Sequence, residues 1–156
     1  MLYSRSIHNF NTLMIQLEDE KIPFHQVEKD FILCMSTQLG DKEGNLFICW
    51  EPIRGVVQFI QEIPLIVPEE KRKNIAFLLN QINYVIPVLG FYLNEKKGVI
   101  VYRTQAFLDA NRSISPGLIG FIIGITIHMA EKFLPQLQEA MTLEPETELS
   151  SLFDLK

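Results

Sequence analysis

The segment EEKRKNIAFLLNQINYVIPVLGFYLNEKKGVIVY, residues 69–102, decides the fold of this chain. It starts with charged residues, continues as an apolar run that carries Asn80 and Asn83, and ends in two apolar runs on either side of NEKKG, residues 94–98. Proline and carboxylates at 68–70 favour a helix start, because the missing amide donor and the negative charges cost least there. Five polar or glycine residues suit a hairpin loop. The segment therefore predicts a helix followed by an antiparallel strand pair.

The residues before this segment predict one helix and three strands. Apolar residues at helical spacing indicate a helix at 7–20, which Pro23 ends. Two strongly apolar runs, 31–35 and 46–50, are separated by a glycine- and asparagine-containing loop at 40–45 and are predicted to be antiparallel neighbours. The run at 56–67 fits a strand better than a helix, and Pro64 favours a position near the sheet edge, because proline cannot donate to a ladder.

The residues after the segment predict an irregular stretch at 106–113 and a long final helix. Ser115 and Pro116 form a helix cap followed by proline at the first helical position. Pro135 is expected to kink this helix, which reaches Met141. We therefore predict a single domain at 1–141 and an acidic, flexible tail at 142–156, whose end, LSSLFDLK, is apolar enough to dock on the domain or on a partner.

Composition excludes several classes of protein. The chain has 156 residues, 47% of them apolar, which suffices for one core. A net charge of -5 argues against nucleic-acid binding, which needs a basic surface. No secretory signal precedes the first helix, which predicts a cytoplasmic protein. The apolar run at 116–130 is shorter than the roughly 20 residues of a membrane span, so we expect a buried helix and no span.

The predicted order is helix, three strands, helix, two strands, helix, which defines an α+β domain with a mostly antiparallel sheet packed on helices. It resembles the YbjN-like family, whose domain has the fold of type III secretion chaperones. The helix at 67–84, the hairpin halves GFYL at 90–93 and GVIVYR at 98–103, and the closing helix with an acidic residue before Leu134 and Pro135 carry the resemblance, which covers residues 8–141. It implies a regulator of sensory transduction or a chaperone-like protein, without known catalytic residues.

Reactive side chains are few, so we predict no catalytic residues, no cofactor and no metal site. His8, His25 and His128 are far apart in sequence, and His128 alone has a carboxylate, Glu131, on the same helical face. Cys34 and Cys49 lie within apolar strands, which favours buried, reduced thiols. An enzyme or small-ligand sensor that uses His128 with Glu131, or a cysteine, is the alternative function.

Two features predict association with other proteins. The runs at 31–35 and 46–50 are apolar on both strand faces, although a sheet with one face in water should alternate. Helices can cover one face, which leaves a homodimer partner, the tail or a client peptide for the other. Gly120 and Gly124 provide a smooth strip for close helix contact. We therefore predict a non-enzymatic, protein-binding regulatory or chaperone-like module that forms homodimers, with an interaction surface at Phe31, Leu33, Phe47, Trp50, Gly120 and Gly124.

Overall fold

Six strands and three helices form the part of the chain that the computed structural model describes, residues 6–28, 31–88 and 90–143. A short 3-10 turn at Glu69–Lys71 precedes the second helix. In chain order the elements are α1 Phe10–Asp19, β1 His25–Glu28, β2 Ile32–Leu39, β3 Lys42–Glu51, β4 Val56–Ile66, α2 Arg72–Val85, β5 Phe91–Asn94, β6 Val99–Phe107 and α3 Pro116–Thr142.

The strands form one antiparallel sheet in the order β1-β2-β3-β4-β6-β5. The α+β class and the order of the predicted elements are confirmed, with β1 as an additional strand. The β2–β3 loop is shorter than predicted, because Leu39 already pairs with Lys42 across Gly40 and Asp41. Strand β4 lies between β3 and β6, so its predicted edge position is wrong. Pro64 is tolerated there because it falls where the β4–β6 register shifts, between Glu62 and Ile66.

All three helices pack on one face of the sheet. Most side chains of that face are buried and alternate along each strand, among them Leu33, Ile48, Phe59 and Tyr102. They form two apolar clusters, one with α1 and the first turns of α3, the other with α2 and the rest of α3. A buried hydrogen bond of 2.7 Å between the hydroxyls of Thr104 and Thr126 fixes α3 on β6.

Helix α3 runs without interruption through Pro135 to Thr142, one residue beyond the predicted domain boundary. At 27 residues it is long and apolar enough to cross a membrane, and within the described residues it alone passes that test. The prediction based on residues 116–130 therefore underestimated the length of this helix. In the most apolar 18 residues of this helix, 44% is buried in the domain, so core packing accounts for less than half of that apolar stretch. The absence of a membrane span stays a prediction.

Asn83 joins α2 to the edge strand β5. Its amide nitrogen donates to the Phe91 carbonyl at 2.8 Å, and its carbonyl oxygen accepts from the Phe91 amide at 2.7 Å. The side chain thereby satisfies the backbone groups that an edge strand leaves unpaired. A Cβ at Gly90 would lie 2.2 Å from Asn83 Oδ1, so this contact requires glycine. Asn83 and Gly90 therefore have a structural role, which is to hold α2 against β5.

Candidate interaction surfaces

The sheet face opposite the helices carries an apolar strip between polar side chains such as Ser36, Asn45 and Gln105, and no helix within the described residues covers it. We call it the open sheet face and define it by the outward side chains of β2 to β6: Ile32, Cys34, Phe47, Cys49, Gln58, Ile60, Glu62, Tyr92, Val101 and Arg103. One row across four strands consists of successive ladder partners, Cys34, Phe47, Ile60 and Arg103. Most of these side chains are only half-buried. A half-buried apolar row beside a cation is typical of an interaction surface.

Arg103 is the cation of this face. Its guanidinium carbon lies 5.2 Å from the centroid of the Tyr92 ring, which is within the range of a cation-π contact. Its Nε is shielded from solvent and has no hydrogen-bond partner in the described part of the chain. No carboxylate there lies within salt-bridge distance of it. Strand β6, next to the edge strand β5, therefore presents a positive charge whose capacity for charge-assisted hydrogen bonds is unused by the described residues.

A hairpin groove and an end groove are among the grooves on this side of the sheet. The hairpin groove, of about 380 Å³, runs from the β5–β6 turn onto the open sheet face and is lined by Ile60, Glu62, Tyr92, Leu93, Asn94, Lys97, Val99, Val101 and Arg103. The end groove, of about 690 Å³, lies at the other end of β2 and β3 and is lined by Phe31, Ile32, Cys49, Trp50, Glu51, Pro52, Ile53 and Arg54. The second groove is the larger and more apolar one, with Ile53 almost fully exposed at its rim.

The structure separates the six residues of the predicted interaction surface. Leu33 and Trp50 are 0% and 2% exposed and lie in the core under the helices, so their assignment to a surface was wrong. Side chains alternate between faces along a strand, and these two share the core parity of β2 and β3. Phe47 lies on the open sheet face. Phe31, at the start of β2, is 41% exposed and packs edge-on against Phe10 of α1 at 6.0 Å.

Gly120 and Gly124 lie on the solvent face of α3, on the opposite side of the molecule from the open sheet face. A Cβ built on either glycine meets nothing within 4 Å, so neither is needed for packing inside the domain. Phe121, between them, is 65% exposed. The two halves of the predicted surface therefore cannot form one continuous contact.

We expect the variants Gly120→Ala and Gly124→Ala to stabilise the monomeric domain by about 0.5 to 1 kcal/mol each, because alanine loses less backbone entropy in a helix. Urea unfolding at low protein concentration measures this change in the free energy of unfolding. A loss of stability in either variant that appears only as the protein concentration rises would mean that the bare helix surface is in contact with another chain.

His128 and Glu131 do not form a paired site. Both are exposed, and Glu131 Oε1 accepts a hydrogen bond of 3.2 Å from the amide of Gly40 in the β2–β3 turn. His8 and His25 are exposed on other elements. No group of three or more metal-binding side chains occurs among the described residues. The carboxylate therefore anchors α3 to the sheet, and the alternative catalytic assignment gains no geometric support.

Both cysteines lie on the open sheet face and neither forms a disulfide. Cys34 is 3% exposed. Burial raises the pKa of its thiol, and the charge of Glu62 raises that pKa further. A raised pKa lowers the thiolate fraction at neutral pH, which is the reverse of what a catalytic cysteine requires.

In the native protein we therefore expect Cys34 to react with a thiol reagent at least about tenfold more slowly than Cys49, which is more exposed. The single variants Cys34→Ala and Cys49→Ala separate the two rates at pH 7.5, and unfolding in urea should make the rates equal. A fast reaction at Cys34 in the folded protein would revive the thiol alternative.

Comparison with known proteins assigns the family. A family model described as "YbjN: Putative bacterial sensory transduction regulator" matches residues 9–139, and the chain belongs to this family. Among solved structures, the chain is similar to "Crystal structure of YbjN, a putative transcription regulator from E. coli", with a TM-score of 0.67 and 10% identity over 86% of this chain and 95% of that one. At this identity the likeness shows the fold. No curated protein sequence matches the chain.

Sequence reasoning missed the residues that give the open sheet face its character. Ile60, Val101 and Arg103 are brought together by the pairing of β4 with β6, which joins segments about forty residues apart. The available signal was the alternation along β6, where residues 99, 101 and 103 share one face. That alternation fixes which side chains share a face, but it does not identify the neighbouring strand.

Proposed function

We propose that the protein is a non-enzymatic regulatory module that binds a protein partner through the open sheet face. The observation that carries this proposal is the one-sided packing of the sheet, which leaves the neighbouring side chains Phe47 and Ile60 half-exposed, without a covering layer in the described residues. The family description as a sensory transduction regulator supports a regulatory role. We place this role in the cytoplasm, where the two thiols stay reduced.

The partner of such a surface has a recognisable chemistry. It presents apolar side chains to Phe47 and Ile60, and a carboxylate to Arg103, whose guanidinium has no carboxylate within salt-bridge distance in the described part of the chain. An extended or helical client segment with both features fits a chaperone-like activity. Arginine is enriched in protein interfaces because its charge stays paired there while its stem packs on apolar surface.

Site-specific photo-crosslinking in the native cell tests this proposal. A photoreactive residue at position 47 should capture a defined partner, whereas the same residue at Tyr84, which is 90% exposed on the helix side, should not. Ile60→Lys should abolish the capture at position 47 while the thermal unfolding midpoint stays near that of the parent. Equal capture at positions 47 and 84, or capture that is insensitive to Ile60→Lys, would refute the open sheet face as the binding site.

We infer further that two copies pair through the outer face of α3. The exposed Phe121 beside Gly120 and Gly124 supports this, since glycines allow two helices to approach closely. Light scattering at micromolar concentration should give twice the 18.0 kDa chain mass, and Gly124→Leu should return the protein to 18.0 kDa. A monomer at every concentration would remove this part of the proposal and leave partner binding unaffected.

The end groove favours a second candidate function, the sensing of a small apolar ligand. Its volume of about 690 Å³ is within the range of ligand pockets, and its lining is mostly apolar. Trp50, the single tryptophan of the chain, is 2% exposed and lies at the inner wall of the groove, so its fluorescence reports a change in its surroundings. Titration with a medium-chain fatty acid should shift Trp50 fluorescence in a saturable way, and Ile53→Asp should remove the shift. An unchanged spectrum would exclude this ligand class.

A further inference from the structure

The end of α3 is fixed beside the β5–β6 hairpin. The Lys71 ammonium donates to the carbonyl oxygens of Met141 and Leu143, the latter at 3.1 Å. The next residue, Arg72, donates from Nη1 to the Glu95 carbonyl at the hairpin tip, at 2.7 Å. Leu143, the last described residue, therefore contacts Lys71, whose neighbour Arg72 contacts the hairpin tip.

The hairpin groove begins at the same tip. Asn94 and Lys97 line its near end, and Ile60 and Arg103 line its far end on the open sheet face. Along β6 the groove spans Val99 to Arg103, about 13 Å at the usual rise of a strand. Thirteen residues reach about 43 Å when extended, so residues 144–156 can pass the hairpin and cover the whole groove.

The charges of residues 144–156 complement the cations along this path, although the path also carries Glu95 at the tip and Glu62 in the groove lining. Glu144, Glu146 and Glu148 come first and would pass Lys96 and Lys97, which are both exposed at the tip. An apolar group follows and carries one carboxylate, that of Asp154: Leu149, Leu152, Phe153 and Leu155. The far end of the groove offers the complement, namely apolar side chains beside Arg103.

We propose that residues 144–156 fold back into the hairpin groove and cover the β4–β6 part of the open sheet face. This segment then competes with the protein partner for the same surface, so the inference rests on the proposed function. Intramolecular attachment favours the segment over a free peptide, because it raises the effective concentration to the millimolar range. A partner must displace residues 144–156 before it can bind the open sheet face.

A reporter thiol in the groove tests the fold-back in the full chain. Val101→Cys is introduced on a background with Cys34→Ala and Cys49→Ala, and the rate of its reaction with a maleimide is measured. Leu152→Ser combined with Phe153→Ser should raise this rate about tenfold, whereas Ser150→Gly combined with Ser151→Gly should leave it unchanged. A control reporter, Phe107→Cys, lies 71% exposed at the far end of β6 and should react equally fast in all these chains.

Removal of the Arg103 charge tests the contribution of the groove to the contact. Arg103→Gln should raise the Val101→Cys rate several-fold at low salt, because a charge-assisted contact is lost. Lys132→Gln removes the same charge from the solvent side of α3 and should have no effect. Fluorescence anisotropy gives a measurement without the reporter: a labelled peptide of residues 144–156 should bind the chain that carries Leu152→Ser and Phe153→Ser, and Arg103→Gln should weaken it about tenfold.

Two outcomes overturn the fold-back, and each is distinct from failure of the proposed function. Equal reporter rates with and without the apolar residues of the segment, together with no peptide binding, exclude the contact. Protection that grows between about 1 and 100 µM protein and survives Leu152→Ser with Phe153→Ser means that a second copy covers the groove. In both cases photo-crosslinking at position 47 still decides whether a partner binds the open sheet face.

Discussion

Gly90→Ala is expected to lower the free energy of unfolding by about 2 to 4 kcal/mol, although it adds a single methyl group. The new Cβ would overlap Asn83 Oδ1, 2.2 Å away, and would displace a side chain that makes two hydrogen bonds to Phe91. The Phe91 amide and carbonyl would then be left partly buried without partners. Equilibrium unfolding in urea measures the loss.

Two comparison variants isolate this cause. Asn83→Ala removes the same two hydrogen bonds without a steric overlap, and it should account for about 2 kcal/mol of the loss. Gly120→Ala adds the same methyl group where nothing of the same chain lies within 4 Å, and at concentrations where the protein is monomeric it should be neutral or stabilising. If Gly90→Ala is as harmless as Gly120→Ala, the link between α2 and β5 is not tight and the edge strand has another support.

Phe59→Ala should cost about 3 to 5 kcal/mol, whereas Ile60→Ala, one residue further along β4, should cost no more than about 1.5 kcal/mol. Phe59 is 0% exposed under the helices, while Ile60 lies half-buried on the open sheet face. The difference in unfolding free energy between these neighbours measures how one-sided the sheet is in solution.

The conservative pair keeps this test usable if Phe59→Ala does not fold. Phe59→Leu should cost about 1 to 2 kcal/mol, and Ile60→Val should be close to neutral. A large cost for both variants at position 60 would show that a second layer, either a partner copy or residues 144–156, covers the open sheet face in solution. Repeating the measurement over a range of protein concentrations separates these two covers.

Local patterns were sufficient for most of the fold. Capping at Ser115 and Pro116, the hairpin loop at 94–98 and the helical spacing in α1 and α2 are short-range signals, and each predicted its element. Strand β1 was missed because HQVE carries little apolar signal and is defined by its pairing with β2. The position of β4 was wrong because Pro64 is accommodated by a register shift that has no local signature.

The interaction surface was less predictable for a related reason. An apolar run such as 46–50 shows that both faces of a strand are apolar, but the helices alone decide which face becomes core. Trp50 and Phe47 therefore appeared equivalent in sequence, and packing of α1 and α3 placed them on opposite sides. The role of glycines on a helix is likewise ambiguous in sequence. Glycines four residues apart occur both where a helix contacts another element closely and where its surface is bare.

The continuity of α3 has a consequence for how the domain unfolds. Its first turns complete one apolar cluster and its remaining turns complete the other, along a rod of about 40 Å. If either cluster opens, α3 loses apolar contacts, and the same helix also packs against the other cluster. The two halves are therefore bound into a single cooperative unit, and amide protons at both ends of the sheet should exchange with the same free energy of opening.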